Sequence, residues 1–199
     1  MLKMKSLVDN LSARGFKVHC FATAQEAKAF FQSEIVDTSV GFGGSVTVSQ
    51  LGLYDMLKER NRVFYHSVDK SPDVLANAAA AEVYILGANA VSQTGEIVNI
   101  DGRGNRVSGC IWGANRKRVY IVFGENKITE DLPSAIFRAR NIAAPQNARR
   151  LNLKTPCAIK ADKCYNCNSP QKICRVLTVL SNPTSAETHV VIISEDLGY

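Results

Sequence analysis

The sequence predicts an α/β protein with a mainly parallel, doubly wound sheet that carries helices on both faces. Short continuous apolar runs alternate with helical patterns from residue 16 to residue 145, and such runs are typical of parallel strands that are buried on both faces. Hydrophobic residues make up 46% of the 199 residues and charged residues 21%, which is a globular composition. Neither an internal repeat nor a low-complexity linker interrupts the chain, so we expect one domain over residues 1–199.

The helices are predicted from apolar periodicity and from their end signals. Apolar positions 4, 7, 8 and 11 share one face of an N-terminal helix, which Gly15 ends. Thr23 and Glu26 form a capping box that opens the second helix. Later helices are predicted within residues 43–60, 73–81 and 134–144, and Pro145 is expected to end the last of them.

The strands are predicted from the apolar runs between these helices. Five runs precede the cysteine-rich part of the chain, at residues 16–22, 38–42, 62–68, 82–88 and 118–124. Two further runs, at residues 175–181 and 188–194, are joined by Asn182-Pro183 and predict a C-terminal strand pair. Residues 154–176 are expected to form a cysteine-rich, metal-binding insertion.

Two glycine-rich loops follow predicted strands, and ligands of open α/β sheets bind at the carboxyl ends of strands. The first loop is VGFGGSVT, residues 40–47. Its glycines allow backbone N–H groups to approach an anion, and the hydroxyls add donors. The candidate ligand-binding residues are Gly41, Gly43, Gly44, Ser45 and Thr47. The alternative is a merely tight turn.

The second loop, residues 87–107, begins where the fourth strand ends and is expected to face the first. Its polar side chains are candidates for the same cleft: Asn89, Ser92, Glu96, Asn99, Asp101, Asn105 and Arg106. The alternative interpretation is a β-hairpin with turns at Thr94-Gly95 and Asp101-Gly102, and both can hold together.

These loops resemble known families. VGFGGSVT is similar to the phosphate-binding turn of ribose-5-phosphate isomerases, and GANAVSQTGEIVNIDG is similar to a segment of sugar-phosphate isomerases related to translation-initiation-factor-2B subunits. The nearer resemblance is to the lactate-utilisation (LUD-domain) family, formerly a domain of unknown function. It rests on VGFGGSVTVSQLG, GANAV, IVNIDGRGNRV, VFGENKI and the terminal EDLGY, and it spans nearly the whole chain.

The LUD-domain resemblance implies a doubly wound fold of the ribose isomerase, glucosamine-6-phosphate deaminase and coenzyme A transferase superfamily. It also implies a role in oxidising L-lactate, or a similar 2-hydroxy acid, to pyruvate beside iron–sulfur partner proteins. The sugar-phosphate isomerases carry an Asp where this chain has Asn89, which does not titrate. Glu96 and Asp101 are the nearby carboxylates that can replace it as an acid–base group, and Glu96 is also a candidate for a transferase-type nucleophile.

The charge of the chain and its lack of long apolar runs indicate which classes of ligand and partner to expect. The net charge is +6, and residues 101–199 carry 15 Lys and Arg against 8 Asp and Glu. This excess favours an anionic small-molecule ligand, and nucleic acid is disfavoured because aromatic residues are not interleaved with the basic ones. We expect no membrane association and a cytoplasmic location, because no apolar run is long enough to span a bilayer or to serve as a signal peptide.

Four of the six cysteines stand in CAIKADKCYNCNSPQKIC with the spacing C-x6-C-x2-C-x6-C. Such density in a cytoplasmic chain favours metal binding over disulfides, and four thiolates suit zinc or an iron–sulfur cluster. The implied iron–sulfur partners favour a [4Fe–4S] cluster, with Zn²⁺ as the alternative, and neighbouring lysines are expected to lower the thiol pKa values. The expected ligands are Cys157, Cys164, Cys167 and Cys174. Free thiols or a redox disulfide such as Cys164–Cys167 stay open.

Three functions therefore stay open. The first is a lactate-utilisation-type protein that binds an organic or phosphorylated anion in the cleft. The second is an iron–sulfur redox or sensor module without small-molecule chemistry of its own. The third is an enzyme that resembles sugar-phosphate isomerases or coenzyme A transferases. The residues leave open whether the chain is catalytic by itself, because no complete nucleophile–base–orienter set is visible.

Overall fold

A computed structural model describes residues 2–199, with side chains from Met4 onward, and it confirms the predicted α/β class. The helices are α1 Leu2–Ala13, α2 Ala24–Glu34, α3 Val46–Gln50, α4 Leu53–Leu57, α5 Val74–Ala80, α6 Asn105–Ile111, α7 Leu132–Arg138, α8 Ala144–Arg150 and α9 Pro156–Lys160. The strands are β1 Lys17–Phe21, β2 Ser39–Phe42, β3 Arg62–Phe64, β4 Val83–Gly87, β5 Ala90–Ser92, β6 Ile97–Asp101, β7 Arg118–Gly124, β8 Ile128–Thr129, β9 Val176–Leu180 and β10 Glu187–Ile193.

The main sheet has six parallel strands in the order β1-β10-β7-β4-β2-β3. Its central strands are buried almost throughout, which explains why they are continuous apolar runs. Helices α2, α3 and α4 cover one face through a core that includes Phe31, Val48 and Leu57. Helices α1, α5 and α6 cover the other face, with Leu11 and Ala78 in its core. The sheet is therefore doubly wound, as the sequence predicted.

A smaller sheet in the order β8-β5-β6-β9 lies beside the main one. Strands β5 and β6 form the antiparallel hairpin that was one interpretation of the second loop, and β9 adds to β6 antiparallel. Helix α7 packs on this sheet through Ala135, which contributes to a third apolar cluster with Val98 and Ile100.

The prediction that the two C-terminal strands form a pair is wrong. Both strands form, but β9 joins the small sheet while β10 runs between β1 and β7 in the main sheet. Burial explains the separation: residues Thr188–Ile193 of β10 are buried throughout, whereas β9 has an exposed and half-buried pattern that suits an edge strand.

The prediction that Pro145 ends its helix is also wrong. Residues 139–143 form a π-helical turn between α7 and α8, and Pro145 lies in the first turn of α8. The wider turn accommodates a proline, which has no N–H to donate and clashes with a regular preceding turn. The consequence is one nearly continuous helical rod over residues 132–150.

The cysteine-rich insertion is mostly irregular. Helix α9 opens it, and residues 161–175 lead to β9 without regular secondary structure. None of the described helices combines the length and the apolar character that a membrane crossing requires.

Candidate functional site

The candidate site lies at the carboxyl edge of the main sheet. The chain segments that leave β2, β3, β4, β7 and β10 there bring together the first glycine-rich loop, His66, Asn89, Lys127 and residues 194–199. This edge is where open α/β sheets bind ligands, because the loops that enter the following helices diverge there.

The first glycine-rich loop is built for close packing. Gly41 lies within β2, and a Cβ at this position would overlap the Ala78 carbonyl. The Gly43 N–H donates to the Ile85 carbonyl at 2.8 Å, and an added Cβ would lie 2.7 Å from the Arg106 Cγ. Gly41 and Gly43 therefore admit neighbouring groups, and the Gly43 N–H is already used by the sheet.

The two hydroxyls of this loop also have partners within the protein. Ser45 caps α3 by accepting from the Val48 N–H at 3.3 Å. Thr47 is 3% exposed, and its hydroxyl donates to the Leu197 carbonyl at 3.2 Å. The hydroxyls of the loop thus bond to the protein itself, and the charged groups at this edge of the sheet come from other segments.

Asn89 holds two arginines in position. Its Oδ1 accepts from the Ile100 N–H and from the Arg106 Nη2, both at 2.7 Å. Its main-chain oxygen accepts from the Arg138 Nη1, also at 2.7 Å. Arg106 donates further to the Ile100 carbonyl. A neutral amide can make these contacts without pairing off the positive charge, which a carboxylate at this position would do.

Arg106, Lys127 and Arg138 form a cationic cluster. Lys127 is 2% exposed and Arg138 is 9% exposed. Burial, assisted by the charges of Arg138 and Arg106, lowers the pKa of Lys127 to about 7, while Asp196 acts in the opposite direction. Burial also lowers the pKa values of both arginines. Within the described residues no Asp or Glu forms a salt bridge with any of the three. Their positive charge is offset only in part, by Asp101 for Arg106 and by Asp196 for Lys127 and Arg138.

Residues 197–199 lie across this cluster. The Tyr199 main-chain oxygen accepts from Lys127, and it also accepts from the Arg138 Nη1 at 3.0 Å. The Gly198 N–H donates to the Gln50 Oε1 at 2.7 Å, and Leu197 is buried against the core that covers one face of the main sheet. A protein oxygen therefore occupies the position between the two cations.

His66 lies at the same edge of the sheet, and the sequence gave no functional prediction for it. It follows β3, its ring lies beside Gly44, and its Nδ1 is buried without a hydrogen-bond partner among the described residues. Burial lowers its pKa, with Arg103 and Lys70 acting in the same direction and Asp101 in the opposite one. The imidazole is therefore neutral near pH 7. Its place after a parallel strand is the sequence signal that could have found it.

Asp101 and Glu96, the two candidate carboxylates, lie in different places and have different structural roles. The Asp101 side chain accepts from the N–H groups of Gly102, Arg106 and Val107 at 2.7–3.1 Å, so it fixes the start of α6. Glu96 lies at the turn of the β5–β6 hairpin, away from Asn89, and pairs with Arg14. Burial opposes its ionisation, but hydrogen bonds from Ser92 and Thr94 outweigh burial and lower the Glu96 pKa.

The other candidate residues of the second loop also lie in two places, some near Asn89 and α6 and one at the hairpin turn. Asn99 accepts the Asn89 N–H at 3.2 Å and so belongs to the support of the cleft. Asn105 begins α6, and its main-chain oxygen accepts from the Tyr84 hydroxyl at 3.0 Å. Ser92 lies with Glu96 at the distal turn. The hairpin geometry therefore separates residues that the sequence placed in one cleft.

The four clustered cysteines line one small cavity, together with Thr155, Lys172 and Arg140. The Cys164 sulfur accepts from the Asn166 N–H at 3.4 Å, and Thr155 lies 3.3 Å from the Cys157 sulfur. Among the described residues, however, no group of three or more His, Cys, Asp or Glu side chains is already arranged around one metal position. The thiols converge without the spacing of a bound ion.

The expected lowering of thiol pKa values is wrong for Cys174. Burial raises its pKa above the ordinary value, Lys172 acts in the opposite direction, and the charges of Cys164, Cys157 and Cys167 each add a smaller rise. The mutual effect follows from the proximity of the four thiols, because like charges disfavour ionisation.

The cysteine cavity and the cationic cleft lie on either side of the helical rod. Arg138, at the end of α7, enters the cleft, whereas Arg140, in the π-helical turn, lines the cavity. Asn141 in the same turn accepts the Cys164 N–H at 3.1 Å. The two sites are therefore separate but share one structural element.

Comparisons with known proteins agree with the fold. The family model described as LUD domain matches residues 4–193. A crystal structure of a DUF162 family protein from Deinococcus radiodurans is similar over 96% of both chains, with a TM-score of 0.52 and 13% sequence identity. At this identity the likeness concerns the fold alone. No curated protein matches the chain.

Gly198→Ala tests how tightly the terminal segment is held. Gly198 has φ +66°, and an added Cβ would lie 2.6 Å from the Thr47 Oγ1 and 3.1 Å from the Lys127 Nζ. We expect a loss of about 1–3 kcal/mol in the free energy of unfolding, measured by chemical denaturation. Gly104→Ala is the matched control, because Gly104 also has positive φ but nothing within 4 Å of an added Cβ. Equal losses in the two variants would contradict a tightly held segment.

Lys127→Met tests the buried charge. The folded pKa of about 7 lies below the unfolded value of ~10.4, so the unfolded chain binds more protons between these values and Lys127 lowers stability increasingly as pH falls towards 7. The stability of Lys127→Met relative to the wild type should therefore be about 2–3 kcal/mol higher at pH 6 than at pH 9. Exposed Lys117→Met should show no such difference. A pH-independent difference for Lys127→Met would refute the buried-charge account.

Proposed function

The chain belongs to the LUD-domain family, which is associated with lactate utilisation, and on that premise we propose that its cleft binds a small organic anion of the 2-hydroxy-acid or 2-oxo-acid class. In this proposal the protein takes part in the oxidation of L-lactate, or a similar 2-hydroxy acid, together with iron–sulfur partner proteins. The fold alone does not select a reaction, so the proposal depends on the cleft residues.

The observation that carries the proposal is the oxygen position between Lys127 and Arg138. Both side chains donate to the Tyr199 main-chain oxygen there. A ligand carboxylate offers two oxygens and a full negative charge, so it would compete for the same donors with stronger, charge-assisted hydrogen bonds. Asn89 keeps Arg106 and Arg138 beside that position without neutralising them.

His66 supplies the proton chemistry in this proposal. Its neutral imidazole lies beside Gly44 at the same edge of the main sheet and has a buried nitrogen without a partner among the described residues. Such a group can accept the hydroxyl proton of a bound 2-hydroxy acid. The oxidation also breaks the Cα–H bond; the proton released there would pass to solvent, and the two electrons would be accepted one at a time by iron–sulfur groups of the partner proteins.

In this proposal four cysteines hold a metal group, for which they would have to move closer than in the described structure. Cys157, Cys164, Cys167 and Cys174 line one cavity, and Lys172 beside them would offset the charge of four thiolates. A [4Fe–4S] cluster held by these residues would supply one-electron transfer, whereas Zn²⁺ would only hold the loop in place.

The cysteine cavity also favours a second candidate, an iron–sulfur redox or sensor module whose cleft binds no substrate. The two candidates differ in the cleft: only the first requires an anion to bind among Arg106, Lys127 and Arg138. An isomerase-like or transferase-like enzyme has less support, because Asp101 caps a helix and Glu96 pairs with Arg14 at a distance from the cluster.

Replacing Arg138 tests the anion site. We expect Arg138→Gln to weaken the binding of L-lactate or pyruvate by about 10- to 100-fold, since a hydrogen bond to a charged group contributes roughly 1.5–3 kcal/mol. Thermal stabilisation at a series of anion concentrations measures the loss, and a phosphosugar and coenzyme A serve as competing classes.

Arg149→Gln is the matched control, because Arg149 is exposed on α8. Arg138→Lys, which keeps the charge, should retain part of the affinity if charge rather than local structure is responsible. If the wild type is stabilised by none of the carboxylates, the anion proposal fails and the redox or sensor module gains support.

Replacing Cys167 tests the metal site. After anaerobic purification we expect the wild type to contain stoichiometric iron with broad visible absorbance, and Cys167→Ser to lose most of both. Cys20→Ser is the control, because Cys20 is exposed on β1 and lies outside the cavity. Colourless protein with one zinc would select the alternative metal, and metal-free wild type would refute the site.

A further inference from the structure

The positive charge of the chain is concentrated in one segment, residues 140–175. This segment carries 8 Lys and Arg and one acidic residue, Asp162, whereas the rest of the chain carries 16 Lys and Arg and 17 Asp and Glu. The segment therefore has a charge of +7 and the rest of the chain −1, which together give the net charge of +6. A charge distribution this uneven creates a local positive field that attracts anionic partners.

The cations of this basic segment have no acidic partners within the part of the chain that the structure describes. No Asp or Glu there forms a salt bridge with any of the 8, whereas six Lys and Arg elsewhere are paired in this way. The Asp162 carboxylate accepts from the Tyr165 hydroxyl and from the Lys163 N–H, both at 2.6 Å. The positive charge of the segment is therefore available to a partner.

Several of these cations surround the cysteine cavity. Arg140 and Lys172 line it directly. Lys160 ends α9, the helix that carries the cavity-lining Cys157, and Lys163 immediately precedes the cavity-lining Cys164. The cavity thus lies within a basic surface.

Exposed apolar side chains accompany the cations. Ile159 of α9 is 71% exposed, and Phe137 of the helical rod is 62% exposed. The Phe137 carbonyl accepts from the Asn141 Nδ2 at 3.2 Å, and the Asn141 Oδ1 accepts from the Cys164 N–H at 3.1 Å. Phe137 therefore lies close to the cysteine segment. Exposed apolar side chains among charges of one sign are typical of a surface that binds another protein.

The local structure favours an acidic protein over the two other common anionic surfaces. Tyr165 is the one aromatic residue of the basic segment, and the Lys160 and Lys163 ammonium groups lie 4.6 and 6.0 Å from its ring centroid. A nucleic-acid base would have to displace them in order to stack there. Ile159 is the one exposed apolar side chain of α9, so this helix lacks the apolar stripe by which interfacial helices enter lipid.

We propose that this surface docks a protein partner with an acidic surface of its own. The surface, here called the cysteine face, consists of Phe137, Arg140, Ile159, Lys160, Lys163 and Lys172. The inference rests on the proposed function for the partner being a redox protein, and it assigns the place where that partner binds. Docking at the cysteine face brings the partner beside the cysteine cavity, with the cations steering the encounter and the apolar side chains making contact.

The test is the binding of a probe protein to the full chain. The probe is an acidic plant-type [2Fe–2S] ferredoxin, and calorimetry measures its dissociation constant at 50 and 200 mM salt. We expect the affinity to fall by at least about threefold between these salt concentrations, because salt screens attraction between exposed charges. Cytochrome c, a small basic protein, should not bind.

Charge reversal locates the binding surface. Replacing both Lys160 and Lys163 by Glu should weaken ferredoxin binding by about tenfold at 50 mM salt. Replacing Lys5 and Lys28 by Glu is the matched control, because it makes the same change of charge on α1 and α2, outside the basic segment.

A second variant and two further measurements guard against a fold defect. Ile159→Asp changes an exposed side chain, so it should weaken ferredoxin binding without lowering the thermal unfolding temperature. Metal content and thermal unfolding are measured on every variant, and both should equal those of the wild type. Stabilisation by pyruvate is measured on the same samples.

Each outcome decides for or against the cysteine face. Salt-sensitive ferredoxin binding that weakens in the Lys160 and Lys163 variant and in Ile159→Asp, but not in the control, supports it. Equal weakening in the control would show unspecific attraction and overturn it. So would absence of ferredoxin binding at 50 mM salt, or tighter binding of single-stranded RNA or of phosphatidylglycerol vesicles.

The same samples distinguish this inference from the proposed function. If ferredoxin does not bind but pyruvate stabilises the protein, the docking surface is refuted and the anion site stands. If ferredoxin binds at the cysteine face and pyruvate has no effect, the anion site is refuted and the docking surface stands.

Discussion

The cleft depends on holding like charges together at the carboxyl edge of the sheet. Arg106, Lys127 and Arg138 repel one another, and burial adds to the cost of their charge. Asn89 makes the arrangement possible, because its two oxygens accept from both arginines and its own N–H is bonded to β6. Folding thus brings together positive charges that Asp101 and Asp196 offset only in part, and a bound anion would stabilise them.

The glycine-rich loop serves this arrangement indirectly. Gly43 leaves room for the Arg106 side chain, and the Gly87 position leaves room for the Ser45 hydroxyl that caps α3. The sequence predicted the loop and its place at the end of a strand, but its small residues admit protein groups. The small residues of this loop pack against protein groups, and the cations beside it come from the 3-10 turn after β7, from α6 and from α7.

More of the fold than of the candidate site could be predicted from the sequence. Buried parallel strands, the capping box at Thr23 and Glu26 and the alternation of elements follow from local patterns. The positions of β9 and β10 and the continuation through Pro145 depend on tertiary burial and a π-helical turn, which local propensity does not encode. In the cleft, Asn89 and Arg106 were found in the glycine-rich segment. Lys127, Arg138 and His66 were missed, because isolated basic residues gain meaning only when the strands bring them to one edge.

The cysteine loop is coupled to the cleft by contacts as well as by the helical rod. The Arg175 N–H donates to the Asp101 carbonyl at 3.0 Å, and Ile173 packs on Gly102. The Asp101 carboxylate in turn fixes the first turn of α6, from which Arg106 reaches Asn89. Drawing Cys174 towards a metal would pull on the segment between Ile173 and Arg175, and hence on the turn that positions Arg106. A metal held by these cysteines can therefore affect the cleft through bonded contacts, without facing it.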